Sequence, residues 1–367
     1  MNVTNVTEMQ QIPDTVVLVT GGNGCLGQHV IKHLQLLATD VKEIRVLDVL
    51  EYKPKLEFEL KKPIKTFVGS ITDTSLVAQA CSGVDVVLHL ASVIDWRLFP
   101  NNKLLQEINV KGTETILNAC KDQDVPYLIY CGSLSIFCGP DPIVNGTETS
   151  VKPQPRLFFN AYASSKAEAQ KMVLKANGYS TKNGRTLKTM AILPLPLYGE
   201  LDYHNITASV QPFKNKKYTL IGPMTATVHY SYVGNTAYMF IKAIEAMKRT
   251  PDVGGEYFFA ADDTPADTFP GTIKPFFEQF NVTTTKWHVP FWLIMTFMFF
   301  VYCLIYVIRL FKPVDAANLG FTTGSIQFLN TTCYVTYDKA KTLLGYKPLY
   351  DYKTSIQMSK RFYAEAI

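Results

Sequence analysis

The sequence predicts an α/β fold with a doubly wound parallel sheet, and three observations carry that prediction. A β-branched run, Val16-Val17-Leu18-Val19-Thr20, flows directly into Gly21-Gly22-Asn23-Gly24-Cys25-Leu26-Gly27 and then into a helical pattern. Later apolar runs lack strict alternation and are separated by helical stretches, as expected of strands covered on both faces. A chain of 367 residues with 47% apolar content can bury one large core and carry an extension.

The first strand and its loop come first in the chain and are the most specific. Gly21, Gly24 and Gly27 fall at G-x-x-G-x-x-G spacing between a strand and a helix. The first glycine permits a tight turn, the second lets backbone approach a pyrophosphate, and the third allows close helix–strand packing, with the helix N-terminus facing the anion. The next apolar run, Ile44-Arg45-Val46-Leu47-Asp48, ends in a carboxylate twenty-one residues after Gly27. Such a carboxylate accepts hydrogen bonds from both ribose hydroxyls and repels a 2′-phosphate, so NAD is favoured over NADP. Arg45, in the same run, is the one residue that argues the other way.

Thr66 to Val68 and Val84 to Leu90 read as strands, with a helix from Asp73 to Cys81 between them. A helix over Asn109 to Lys121 leads to the strand Tyr127-Leu128-Ile129-Tyr130. Ser133, in Tyr130-Cys131-Gly132-Ser133-Leu134-Ser135, follows the C-terminal end of that strand, where ligand crevices of open parallel sheets lie. Its hydroxyl can hold a substrate oxygen, with Ser135 as the alternative; either can also cap the following turn. Asp141 to Arg156, rich in Pro, Asn and Thr, reads as a loop over the site. Tyr162 and Lys166 follow in Asn160-Ala161-Tyr162-Ala163-Ser164-Ser165-Lys166; four apart on a helix they share one face, so the ammonium can stabilise a phenolate. Alone the pair carries little in a chain with 20 Tyr, and its position downstream of the glycine loop gives it meaning.

Composition excludes several classes. The net charge of +5 is modest and spread out, and no basic tract with interleaved aromatics points to nucleic acid; Lys61-Lys62 and Lys214 to Lys217 read as solvated turns. The seven cysteines, Cys25, Cys81, Cys120, Cys131, Cys138, Cys303 and Cys333, show no C-x-x-C spacing, so no metal and no disulfide framework is expected, and a reducing compartment is the simpler reading. The several Asn-x-Ser/Thr sequons, Asn2, Asn5, Asn145 and Asn281 among them, read as incidental.

The run from Phe291 to Ile308 holds eighteen residues without a charge, preceded by Pro290 and followed by Arg309 and Lys312. At about 1.5 Å per residue it reaches about 27 Å, barely a bilayer's hydrocarbon thickness. Aromatics occur throughout it, so three readings stand: a spanning helix, an interfacial helix beside a lipophilic entrance, and a core helix. With no signal peptide, the expectation is a catalytic domain on the cytoplasmic face of the endoplasmic reticulum membrane, or a mitochondrial membrane.

Taken in order, Gly21-x-x-Gly24-x-x-Gly27, Asp48, His89-Leu90-Ala91, Asn109-Val110-Lys111-Gly112-Thr113, Ser133 and Tyr162-x3-Lys166 make the chain resemble the extended short-chain dehydrogenase/reductase superfamily, whose Rossmann domain binds NAD. Tyr198-Gly199-Glu200, Tyr232-Val233-Gly234-Asn235, Asp262-Asp263-Thr264-Pro265, the late apolar run and Gly345-Tyr346-Lys347-Pro348-Leu349-Tyr350 narrow the resemblance to the 3β-hydroxysteroid dehydrogenase/Δ5-4 isomerase family, from about Val16 to Tyr363. The resemblance implies oxidation of a 3β-hydroxysteroid or sterol to its 3-ketone by NAD. It makes Tyr162 the base, Lys166 the residue that holds the cofactor ribose and lowers the tyrosine pKa, Ser133 the substrate-oxygen ligand, and Asn109 a water-relay residue or a helix cap. It assigns Gly21, Asn23, Gly24, Cys25, Leu26, Gly27, Asp48, Ser70, Ile71, Leu90, Ala91, Tyr162, Lys166, Pro194 and Leu197 to the cofactor. The partners it implies are a steroid or sterol substrate, a lipid membrane and a second copy in a homodimer.

The same resemblance implies an isomerase Tyr–Asp pair. Asp262 fills the acid's place, but Phe258 stands where the tyrosine is expected, with Tyr257 one position away on the opposite face of a strand. Other departures are Ser70 where an adenine-binding Asp is usual, Cys131-Gly132-Ser133 for Thr-Ser-Ser, and Leu193-Pro194 for Arg-Pro. A sterol-4α-carboxylate 3-dehydrogenase, whose ketone loses carbon dioxide, has a related pattern. A non-catalytic NAD-binding membrane scaffold would predict a damaged catalytic set, and none is seen. The expected organisation is a mainly NAD-binding region over 1–200, a substrate-binding region over 201–288 with elements returning to the sheet, a membrane-associated helix over 289–311 and a tail over 312–367 packing on the substrate region.

Overall fold

The computed structural model describes residues 14–250, 253–311 and 322–367. Asn2, Asn5 and Lys312 lie outside them. Seven strands form one parallel sheet: β1 Thr15–Thr20, β2 Val41–Asp48, β3 Ile64–Val68, β4 Val86–His89, β5 Tyr127–Cys131, β6 Thr186–Pro194 and β7 Tyr257–Ala260. Their order is β7-β6-β5-β4-β1-β2-β3, with the short strand Tyr179–Ser180 antiparallel to β6. The chain winds outward from β1 to β3, then returns to place β4 on the other side of β1. The winding reverses between β1 and β4, and in open sheets of this kind the ligand crevice lies outside the C-terminal ends of those strands.

Every residue of β1 is buried. Val16 and Leu18 join the core on one face, Val17 and Val19 the core on the other, so an unbroken apolar run is what this position demands. The helix Cys25–Leu36 (α1) covers the second face together with Val233–Arg249 (α5). On the first face lie Thr74–Cys81 (α2), whose Asp73 caps two backbone N–H groups, Gly112–Asp122 (α3) and Asn160–Lys175 (α4).

Two elements differ from expectation. Helical structure begins at Asn102, capped by Asn101, and runs through a π-helical segment Gln106–Lys111 into α3. Asn109 therefore sits in mid-helix and is not a cap; the capping asparagine is eight residues earlier. The expected loop 141–156 contains a strand, Ile143–Gly146, that pairs in parallel with Cys333–Val335 from the C-terminal region. A partner almost two hundred residues away leaves no local trace. Lys62 also departs from a solvated turn: its ammonium donates to the Gln35 carbonyl at 2.7 Å, and the backbone N–H groups of Lys61 and Lys62 both donate to Gln35 Oε1. Lys217 begins a strand, Lys217–Ile221.

Phe269–Gln279 (α6) and Tyr352–Ala366 (α8) lie beyond the sheet and touch through Phe276 and Tyr363. Between them Phe291–Arg309 (α7) has a mean hydropathy of 2.4 with only 6% of it buried. Among its half-buried and buried positions, Phe291, Ile294, Met298, Val301, Ile305 and Ile308 recur every three or four residues and make one stripe. Trp292, Phe297, Phe299, Phe300 and Leu304, off that stripe, stand exposed.

Candidate active site

The glycine loop is shaped by close approach. Gly21 has φ +74°, and a Cβ there would meet the Ala91 backbone at 2.8 Å, so β1 and β4 can cross at this point only without a side chain. A Cβ on Gly27 would meet the Gly21 carbonyl oxygen at 2.3 Å. Helix α1 starts at Gly24 with no side-chain cap and no acidic residue in its first turn, leaving its N–H groups and positive end toward an anion. At the tip of β2, Asp48 accepts from the backbone N–H groups of Asn23 at 2.9 Å and Leu50 at 3.2 Å. Its charge is held beside the loop where ribose hydroxyls would lie. Arg45 is turned elsewhere, onto Glu43 at 2.6 Å and the carbonyls of Ala80 and Ser82, and so does not serve a 2′-phosphate. These features fit a dinucleotide with free ribose hydroxyls.

The other expected cofactor residues line the same edge. Asn23 spends its side chain on the segment after β2, donating to the carbonyls of Leu50 and Glu51. Cys25 Sγ donates to the Glu200 carbonyl at 3.4 Å. Leu26 is half-buried against both cores. Ser70 bonds Thr72 within its own turn, and Ile71 packs where a Cβ on Gly112 would be. Leu90 and Ala91 pass over Gly21. Pro194 ends β6 opposite Ala260, and Leu197 pairs with Ser231.

Two threonines and a histidine explain why the His89 and Asn109–Thr113 motifs go together. Thr113, one helical turn after Asn109, donates its hydroxyl proton to the Asn109 carbonyl at 2.6 Å and can only accept from His89 Nε2 at 3.0 Å. His89 is thereby the Nε2–H tautomer, and Nδ1 accepts from Thr20 at 2.8 Å. Thr20 in turn accepts the Ala91 N–H at 3.1 Å. Burial pushes His89 down to about 3, so the ring stays neutral as this chain of bonds requires.

Tyr162 and Lys166 are both buried on α4, and Ser133 follows β5 beside them. Burial raises the Tyr162 phenol well above its ordinary value; a hydrogen bond from Ser133 opposes this. Ser133 also caps the short turn Leu134–Phe137 and bonds Ser135 Oγ at 2.8 Å, so the capping and substrate-binding readings coexist. Lys166 is lowered to about 8 by burial. Its ammonium donates to the Cys131 carbonyl at 2.6 Å and lies 4.4 Å from the centre of the Tyr130 ring. Burial, opposed by Ser133, sets the Tyr162 phenol, and the lowering expected from this lysine is not seen among the protein's own groups. Asn109 uses its amide on Val93, accepting at 2.7 Å and donating at 2.9 Å, and donates to Ser165 Oγ at 3.0 Å. It ties the segment after β4 to α4.

Sequence reasoning misses Trp96, which meets Tyr162 edge-on at 6.4 Å between ring centres and Phe159 at 5.9 Å. Its only local signal is an indole seven residues beyond the end of β4, a strand that leads into the crevice.

The isomerase residues are placed differently. Phe258 is fully buried on the α5 side of β7. Tyr257, on the other side, donates its hydroxyl to the Glu148 carbonyl at 2.6 Å. Asp262 is buried with Oδ2 accepting from Tyr232 N–H and Asn235 Nδ2 and Oδ1 from Thr264 N–H. Its oxygens hold a turn together.

This fold and this edge define an oxidoreductase of the extended short-chain dehydrogenase type. The chain belongs to the 3-beta hydroxysteroid dehydrogenase/isomerase family, whose pattern matches residues 18–291. Solved structures share the fold at low identity. UDP-glucuronic acid 4-epimerase from Bacillus cereus, solved with UDP-glucuronic acid and NAD, is 17% identical with a TM-score of 0.68 over 96% of this chain and 100% of its own. UDP-glucose 4-epimerase from Thermus thermophilus, solved with NAD, is 20% identical with a TM-score of 0.65 over the same shares, 96% and 100%. Epimerase Mth375 from Methanothermobacter thermautotrophicus is 16% identical with a TM-score of 0.70 over 97% of this chain and 94% of its own.

Proposed function

We propose that the protein oxidises the 3β-hydroxyl of a steroid or sterol to the 3-ketone with NAD. The observation that carries the reading is the convergence of Ser133, Tyr162 and Lys166 at the end of β5, next to the crevice bounded by Gly21 and Asp48. When bound, NAD supplies the hydride acceptor and, in its oxidised form, a positive charge. Ser133 Oγ holds the substrate oxygen, and the hydroxyl proton passes to the Tyr162 phenolate as the C3–H leaves with its electron pair. Lys166 is fixed by Cys131 and Tyr130 beside the same crevice, where it would hold the cofactor ribose, and the positive charge that oxidised NAD brings would favour the phenolate. The proposed reaction ends at the ketone, since Asp262 is engaged on both oxygens and Phe258 has no hydroxyl to exchange a proton.

A membrane site fits the same reading. Helix α7 has no polar face, so it needs an apolar medium around everything outside its one docked stripe. A bilayer supplies that medium, and also the lipophilic substrate. We place the helix in the endoplasmic reticulum membrane, lying along a catalytic domain on the cytoplasmic side. The test is product analysis with one labelled Δ5-3β-hydroxysteroid and NAD. A Δ5-3-ketone with stoichiometric NADH is expected; no NADH with a broad panel of 3β-hydroxysteroids would remove the reading, and a Δ4-3-ketone would restore the isomerase.

A further inference from the structure

The segment between β4 and the helical run at Asn102 joins two places that matter to an insoluble substrate. It is pinned at Val93 by the Asn109 amide and at Asn101 by the helix cap. Between those points Asp95, buried, accepts from Arg97 Nε at 2.7 Å, Arg97 Nη2 at 2.7 Å, Arg97 N–H at 3.2 Å and Asn101 N–H at 2.8 Å. The result is a rigid bracket. From it Trp96 reaches Tyr162, while Phe99 stacks on Tyr302 of α7 at 5.1 Å with ring planes 13° apart. The Arg309 guanidinium, at the end of α7, sits 4.5 Å from the same Phe99 ring. Ile94, beside them, is half exposed.

We infer that this bracket is the entrance lip for substrate arriving from the bilayer, with Phe99 at the membrane side and Trp96 at the reaction side. The inference rests on the steroid reading above. A flat apolar molecule leaving lipid beside Tyr302 meets Phe99, then Trp96, then the Tyr162 hydroxyl, and its ring faces need not cross water. The carboxylate of Asp95 is kept off this path, turned back onto Arg97 and Asn101, while the Arg309 guanidinium lies over the Phe99 ring at the membrane side. The aromatic pair also favours ring systems over flexible chains, because planar faces stack without losing rotamer freedom.

Two measurements on the full-length protein in phosphatidylcholine vesicles test this. The chain has three Trp, and Trp287→Phe with Trp292→Phe leaves Trp96 as the sole indole. A conjugated-triene 3β-hydroxysterol in the vesicles should quench Trp96 emission, and Phe99→Ala or Phe99→Leu should weaken that quenching. With vesicle-borne steroid, Phe99→Ala and Tyr302→Ala should each raise KM about tenfold, the double substitution adding little, and the rise should shrink to less than about threefold with detergent-dispersed steroid. Quenching without NADH formation would support the route and remove the proposed substrate chemistry. NADH formation with Trp96 unquenched and KM unmoved would overturn the route and leave the chemistry standing.

Discussion

The two ends of the crevice are built by different means. Around β1, β2 and the start of α1, backbone does the work: Gly21 lets β4 cross, Gly27 lets the helix seat, and Asp48 is oriented by two N–H groups. Around β5 and α4 the site is made by side chains from segments far apart, with Trp96 contacting both Phe159 and Tyr162, and Tyr302 joining through Phe99. A cofactor common to many enzymes can be held by fixed backbone geometry. A substrate particular to one enzyme needs surfaces that can vary without disturbing that geometry, and aromatic rings on separate segments provide them.

Tyr162→Phe should separate the two ends most sharply. It removes the proposed proton acceptor and leaves the loop untouched, so turnover should fall at least ~10²-fold while NAD affinity, read by fluorescence titration, stays near wild type. Near-normal turnover would mean that the base lies elsewhere. Gly21→Ala should do the reverse. Its Cβ would strike the Ala91 backbone in a left-handed conformation, at a cost of about 1–3 kcal/mol, so NAD affinity should fall about tenfold or more. Unchanged affinity would show that β1 and β4 can separate without loss. Asp48→Ala is gentler: the ratio of kcat/KM for NAD over NADP should drop by about tenfold, one lost charged hydrogen-bond set. A constant ratio would remove Asp48 from cofactor choice.

Legibility in the sequence follows the same divide. The glycine spacing, Asp48, Ser133 and the Tyr162–Lys166 pair are readable because each depends on neighbours within a few residues or on a strand end. Asn109 reads as opening a helix because Asn101 and the π-helical turns between them have no strong local pattern. The pairing of Ile143–Gly146 with Cys333–Val335, and the approach of Trp96 to Tyr162, depend on how distant segments pack. Lys166 teaches a further point: spacing puts it on the face of Tyr162, but the Cys131 carbonyl and Tyr130 ring claim its charge.

His89 lies between the two ends, bonded to Thr20 of β1 and to Thr113 of α3, and pH can probe it without touching either the base or the loop. In the folded protein it stays neutral down to about pH 3, whereas an unfolded histidine takes up a proton near ~6.5. Between those values unfolding binds a proton, so stability is full above about pH 6.5 and falls as the solution is acidified. His29, His33 and His229 are lowered by burial too, so the wild-type slope reflects several rings. His89→Gln keeps a donor and an acceptor near the threonines but cannot titrate. Unfolding free energies from denaturant titrations between pH 7 and 4.5 should therefore fall less steeply for the variant, by about 1.4 kcal/mol per pH unit near pH 5. Parallel slopes would mean that His89 is protonated in the folded state, which would break the hydrogen-bond chain that couples the crossing of β1 and β4 to Asn109.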